Sequence, residues 1–136
     1  MKRSFERSFD ALAEIFDFTR EFFAAECVDE QHRTEVDFAI EEIFTNMVKY
    51  NDGRFDIELM LSSRNDELTI RLADEDVEQF DVTALPEVDP STPVEKRRAG
   101  GMGVHLVRRL SDRFSYDYRD RTSIVTVVKK LDMDGG

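Results

Sequence analysis

The sequence predicts an α/β sandwich of the α+β kind, a mixed but mostly antiparallel sheet with helices packed on one face. Three observations carry that prediction. Two helical apolar stripes follow one another between residues 9 and 50, two pairs of alternating apolar segments come after them, and a stretch without periodicity separates the pairs. At 136 residues the chain has room for one core, so a single domain over 1–136 is expected.

Taken in order, residues 2–8 alternate weakly and predict a short edge strand. From Phe9 the pattern turns helical: Leu12, Ile15, Phe16, Thr19, Phe22 and Phe23 recur at spacings of three and four. Cys27-Val28-Asp29 breaks that helix. Asp29 then suits the N-cap of a second one, with Glu30 in its first turn facing the positive end of the dipole. His32, in that same turn, is expected at the surface. Val36, Ala39, Ile40, Ile43, Phe44 and Met47 form the inward stripe, and the helix stops near the turn signal Asn51-Asp52-Gly53.

Phe55, Ile57, Leu59 and Leu61 alternate as in a half-buried strand, Ser63 to Asp66 makes a turn, and Leu68, Ile70 and Leu72 alternate again, which predicts a hairpin. Residues 74–103 lose all periodicity and hold all three prolines, Pro86, Pro90 and Pro93, with the charged run Glu95 to Arg98. Loops this long inside a small domain are commonly functional lids, and the lid is placed at about 77–99. Gly100-Gly101-Met102-Gly103 then leads into a short helix from Val104 to Leu110. Two more strand-like segments follow, one with Phe114, Tyr116 and Tyr118, the other with Ile124, Val125, Val127 and Val128; residues 132–136 read as a frayed tail.

Composition narrows the function classes. A formal net charge of −11 with 36% charged residues argues for a soluble protein and against nucleic-acid binding, which needs a basic face. No apolar run approaches the roughly 20 residues that span a bilayer. The N-terminal MKRSFERSFD has basic residues without an apolar stretch behind them, unlike a secretory signal. The lone Cys27 has no partner for a disulfide or a zinc site, and a reducing cytoplasm is the expected compartment.

Two groups of residues have chemical potential. Glu42 and Asn46, four apart, project from one helix face, where a carboxylate and a carboxamide can accept a proton and bind a hard cation through oxygen. The same pair also fits an ordinary solvated face. Gly101 and Gly103 precede a helix, where backbone N–H groups and the helix dipole attract an anion; a plain tight turn uses glycines too. The run is neither a Walker A loop, since no Gly-Lys-Ser/Thr follows, nor a Rossmann fingerprint, since no strand precedes it.

In combination these segments resemble the GHKL class of ATP-binding domains. Glu42-Ile43-Phe44-Thr45-Asn46 resembles its N box, Ala73-Asp74 followed by Phe80-Asp81 its adenine box, and Gly101-Met102-Gly103-Val104-His105-Leu106-Val107-Arg108 the glycine box after the ATP lid. Thr126 stands where the class has a threonine near adenine. Order and spacing agree over nearly the whole chain, and the chain most resembles the small bacterial anti-sigma factor serine/threonine kinases.

The resemblance implies ATP and Mg²⁺ as ligands. It gives Glu42 the role of general base toward a protein hydroxyl, Asn46 that of Mg²⁺ ligand, Asp74 and Thr126 contact with adenine, and Gly101 and Gly103 contact with the phosphates. Lys49 and Arg98 are further phosphate contacts. The implied partners are a sigma factor and a small antagonist of the anti-sigma factor, and a homodimer is implied as well. The chain departs from the class at Asp74-Glu75-Asp76, where Asp-x-Gly is expected. Asp76 brings a side chain and a negative charge toward an anionic nucleotide, which leaves a second reading open: a GHKL-type fold kept as a partner-binding module with weak or no ATP binding.

Overall fold

The computed structural model of the chain describes residues 1–81, 83 and 101–131. Most of the expected lid, Arg98 within it, Gly100 and the expected tail at 132–136 lie outside the described residues.

The strands are β1 (Lys2–Phe5), β2 (Ile57–Arg64), β3 (Glu67–Asp74), β4 (Arg113–Arg119) and β5 (Thr122–Lys130); the helices are α1 (Leu12–Ala25), α2 (Arg33–Tyr50) and α3 (Gly101–Leu110). The sheet order is β1-β2-β3-β5-β4. Every pairing among these strands is antiparallel, so the expected mixed sheet is instead uniform. The cause is local. Two hairpins supply four of the five strands, and each turns on two residues with positive φ, Asn65 and Asp66 at 53° and 62°, Asp120 and Arg121 at 50° and 62°. Such turns match the right-handed twist of paired strands.

Strand alternation gives the sheet two unlike faces. Ile57, Leu59 and Leu61, Leu68, Ile70 and Leu72, and Val125 and Val127 are all buried within one hydrophobic cluster that includes the inward faces of α1 and α2. In α1 the buried stripe is Ile15, Phe18, Thr19, Phe22 and Phe23. Phe18 takes the central place expected of Phe16, because α1 starts at Leu12 behind a 3-10 turn at Phe9–Ala11, and the row through Ile15 faces the sheet. The Thr19 hydroxyl satisfies itself on the Ile15 carbonyl at 3.0 Å.

Three boundaries differ from expectation. Asp29 caps as expected, accepting from Gln31 N at 2.9 Å, but it caps a 3-10 turn, Glu30–His32, ahead of α2. The tighter turn swings His32 inward, and it is buried, not on the surface. Phe55 lies ahead of β2 and is exposed, since pairing with β3 begins only at Ile57. Gly101 and Gly103 are not a loop before a helix at 104; they belong to the first turn of α3 itself. Among the described residues no helix is long and apolar enough to cross a membrane.

Candidate functional site

Helix α2 brings the site together because one of its faces is only partly apolar. Val36, Ala39, Ile40, Ile43, Phe44 and Met47 are buried as expected, and Asn46 is buried with them, fully screened from solvent. Neither its Oδ1 nor its Nδ2 has a hydrogen-bond partner among the described residues, and the buried Oε2 of Glu42, one turn earlier, has none either. Buried polar atoms are nearly always paired, and an unmet one costs about 1–3 kcal/mol. Three such atoms on adjacent turns of one helix make this a candidate ligand site.

The first turn of α3 closes over this spot. A Cβ on Gly103 would overlap the Glu42 carboxylate where it stands, so a side chain there would push Glu42 aside. Burial raises the Glu42 pKa above its usual 4.5, the neighbouring Glu41 adds to the rise, and Lys49 opposes it. A carboxyl tuned upward in this way is a better proton acceptor once ionised. Lys49 itself is exposed, with its Nζ 5.9 Å above the Phe9 ring.

The other end of the site is Asp74, the last residue of β3, with no solvent exposure. Both of its oxygens are engaged. Arg7 Nη2 donates to Oδ1 as an ion pair, and Asn51 Nδ2 donates to Oδ2 at 2.8 Å. Arg7 Nη1 donates in turn to the Met47 carbonyl at 3.0 Å. Burial nonetheless holds the Asp74 pKa above the ordinary carboxylate value, with the Asn51 hydrogen bond and the Arg7 charge pulling it back. Gly53 lies beside this guanidinium; a Cβ there would overlap Arg7 and press on Val77.

Thr126 is not on this side of the sheet. It pairs with Arg71 and Ser115, and alternation sends it to the face away from Asp74. The hydroxyl on the site's face belongs to Ser123, directly opposite Asp74 in register. Its Oγ is buried, beside the Tyr116 hydroxyl but outside hydrogen-bonding geometry with it.

Asp76 adopts φ 56°, the left-handed conformation for which the expected glycine is suited. Its carboxylate is held by Arg121 Nε at 2.8 Å and faces Arg54 Nε at 3.6 Å, and the Arg121 hydrogen bond lowers its pKa. The extra charge is therefore drawn onto two surface arginines. Beyond it, Val77 is fully buried, with its carbonyl accepting from Tyr118 Oη at 2.7 Å. Phe80 stacks on Tyr50 with centroids 6.0 Å apart, and Arg108 of α3 donates to the Thr83 carbonyl at 2.9 Å, so the start of the predicted lid is tied to both helices.

The structure thus places Glu42, Asn46 and Gly103 together and Asp74 at the same end of the sheet as Ser123, with Thr126 on the far face. Sequence reasoning missed Arg7, Asn51 and Ser123. Parity along β5 was the available signal for Ser123, since Val125 and Val127 face the core and residues two apart share a face. Arg7 and Asn51 had none, being read only as part of a weak strand and of a turn.

The family model of the histidine kinase-like ATPase domain matches residues 5–129, which takes in every one of these residues. The chain belongs to that family. No curated protein matches the sequence. Among solved structures, the RsbU and RsbW domains of Rv1364c from Mycobacterium tuberculosis align over 96% of this chain at 13% identity and a TM-score of 0.66. This chain spans only 32% of that one. The histidine kinase AdeS of Acinetobacter baumannii aligns over 98% of this chain and 68% of its own, at 13% identity and a TM-score of 0.52. At such identity the likeness is one of fold. The fold is that of a GHKL-type ATPase or kinase module, and the family description implies ATP binding.

Proposed function

We propose that the chain is an ATP-dependent serine/threonine protein kinase of the anti-sigma type, with ATP seated between α2, α3 and the Asp74 end of β3. The observation that carries this reading is the set of unpartnered buried atoms on Glu42 and Asn46 against the glycine turn of α3. Family membership and the fold likeness to an RsbW domain support it.

In this reading Asn46 Oδ1 holds Mg²⁺, a hard cation that accepts neutral oxygen ligands and, when bound, neutralises charge on the phosphates. The first turn of α3, with Gly101 and Gly103, offers backbone N–H groups to the phosphates. Lys49 adds positive charge on α2, and Arg98, outside the described residues, is kept as a further proposed phosphate contact. Asp74 accepts from the amino group of adenine, and Ser123, not Thr126, offers the hydroxyl beside it. Glu42 removes the proton from a serine or threonine hydroxyl of the protein substrate as that oxygen bonds to the γ-phosphorus. The bond from that phosphorus to the ADP oxygen breaks, and ADP leaves with the electron pair. Positioning and charge neutralisation supply most of the catalysis in such transfers. The protein substrate is a small antagonist protein, and a sigma factor is the competing partner; where the two exclude one another, a ligand that strengthens one complex lowers the share of protein left for the other.

A second reading, a partner-binding module with weak nucleotide affinity, draws support from Arg7 on Asp74 and not from Asp76, whose charge is met by Arg121 and Arg54. Titration calorimetry with ADP and with a non-hydrolysable ATP analogue, in Mg²⁺ and in EDTA, separates the two. The kinase reading expects micromolar, Mg²⁺-dependent binding that weakens at least about tenfold in Asn46→Ala, the loss of one charge-assisted contact. Absence of binding up to millimolar nucleotide overturns it.

A further inference from the structure

We propose that Arg7 is a residue of the base pocket, an internal cation that holds Asp74 until the base of a nucleotide displaces it. The proposal rests on the nucleotide reading of the site and deepens it. In that reading Asp74 must accept a hydrogen bond from the base. In the structure each of its oxygens already takes one donor, Arg7 on Oδ1 and Asn51 on Oδ2, and the residue is fully buried, so a base gains access only where one of these donors gives way.

Of the two partners, Arg7 is the one suited to leave. Asn51 caps α2 through its own N–H to the Met47 carbonyl at 3.1 Å, so its backbone is committed to the helix end. Arg7 comes from the short connection between β1, a four-residue edge strand, and the 3-10 turn at Phe9. Its side chain keeps 15% exposure, which gives the guanidinium a path to water. Its binding is also incomplete, since its Nε–H is buried without an acceptor. A counter-ion serving only to stabilise the fold gains from having every donor met; this one leaves a donor unmet that solvent would satisfy.

The surroundings fit the same idea. Gly53 leaves room for the guanidinium where any side chain would overlap it, and the buried Val77 lies alongside. A flat, delocalised cation here occupies space that a planar base would take, between an acceptor carboxylate and apolar side chains. Only the fraction of molecules with Arg7 withdrawn is competent for the base, and the apparent dissociation constant is raised in inverse proportion to that fraction. The phosphate end, at Glu42 and Asn46, is untouched by Arg7, and its affinity for phosphate alone does not depend on the swing.

The test titrates the wild type, Arg7→Met and Asn46→Ala with Mg²⁺·ADP and with Mg²⁺·tripolyphosphate, which carries the phosphates without a base. Arg7→Met is expected to bind ADP about tenfold or more tighter than wild type, the loss of one competing charge-assisted bond, with tripolyphosphate affinity unchanged. If ADP affinity in Arg7→Met is equal to or weaker than wild type while tripolyphosphate binds in an Asn46-dependent way, the competition is overturned and the nucleotide reading stands. If neither ligand binds any form, both fall together.

A second measurement uses the wild type alone, in case the variant folds poorly. The Nη–H protons of Arg7 should exchange slowly with solvent in the free protein and lose that protection on saturation with ADP but not with tripolyphosphate. Protection that survives bound ADP overturns the proposal.

Discussion

The two ends of the site meet α2 at different places, one on its buried face and one at its C-cap, and obey opposite rules. At the Glu42 and Asn46 end, three buried polar atoms have no partner among the described residues. At the Asp74 end both carboxylate oxygens have a donor, Arg7 on one and Asn51 on the other. The unmet end stores an unfavourable desolvation that a cation and phosphates would relieve. At the other end the pairing of the Asp74 carboxylate with Arg7 and Asn51 stabilises the ligand-free fold, although Arg7 Nε, Asn51 Oδ1 and Ser123 Oγ beside it lack partners. In the nucleotide reading stability and readiness are divided between the two ends, and substitutions at them should move stability in opposite directions.

The largest effect is expected from breaking the met end. Asp74→Ala leaves Asn51 Nδ2 and the mostly buried Arg7 guanidinium without their acceptor and should cost roughly 1–3 kcal/mol, read as a fall in the urea midpoint at unchanged slope. Asn46→Leu, at the unmet end, should leave the midpoint unchanged or raise it while removing Mg²⁺-dependent nucleotide binding. Equal losses from both substitutions would erase the contrast.

A smaller effect sharpens it through pH. Burial raises the folded-state pKa of Glu42, so its ionised form opposes folding. The stability associated with this group is fully present below the unfolded-state value near 4.5 and is lost as pH rises through the higher folded-state value. Glu42→Gln should therefore be more stable than wild type by about 1 kcal/mol at neutral pH, with the gain shrinking as the solution is acidified toward the usual carboxylate range. Thermal unfolding across that range checks it, and a gain that is constant with pH would assign the stabilisation to packing instead. The same variant should have lost phosphoryl transfer, since the proton acceptor is gone.

The smallest effect belongs to Asp76. Because its charge is drawn onto Arg121 and Arg54, Asp76→Gly should change ADP affinity by no more than about threefold, the range of an exposed ion pair. A larger improvement in the titration would show that the carboxylate still reaches the nucleotide.

Much of the layout was legible from residues alone. Helices at spacing three and four, one hairpin and two further strand-like segments follow from periodicity, a local property of the chain, while the N box, adenine box and glycine box came from resemblance to the GHKL class. What went astray did so where a side chain's direction depends on its neighbours. His32 turned inward because a 3-10 turn replaced the first turn of a helix, Gly101 and Gly103 joined α3 instead of preceding it, and Thr126 fell on the wrong face by the parity of one strand.

The amino-acid sequence by itself determined the elements and the chemical types in the site, because apolar period and turn residues act over a few positions. Only the tertiary structure decided that Arg7, 67 residues away in the chain, would reach Asp74. No local pattern marks such a pair: a buried carboxylate takes whichever cation the packing of β1 against β2 and α1 against α2 carries into range, and that packing is a property of the whole fold.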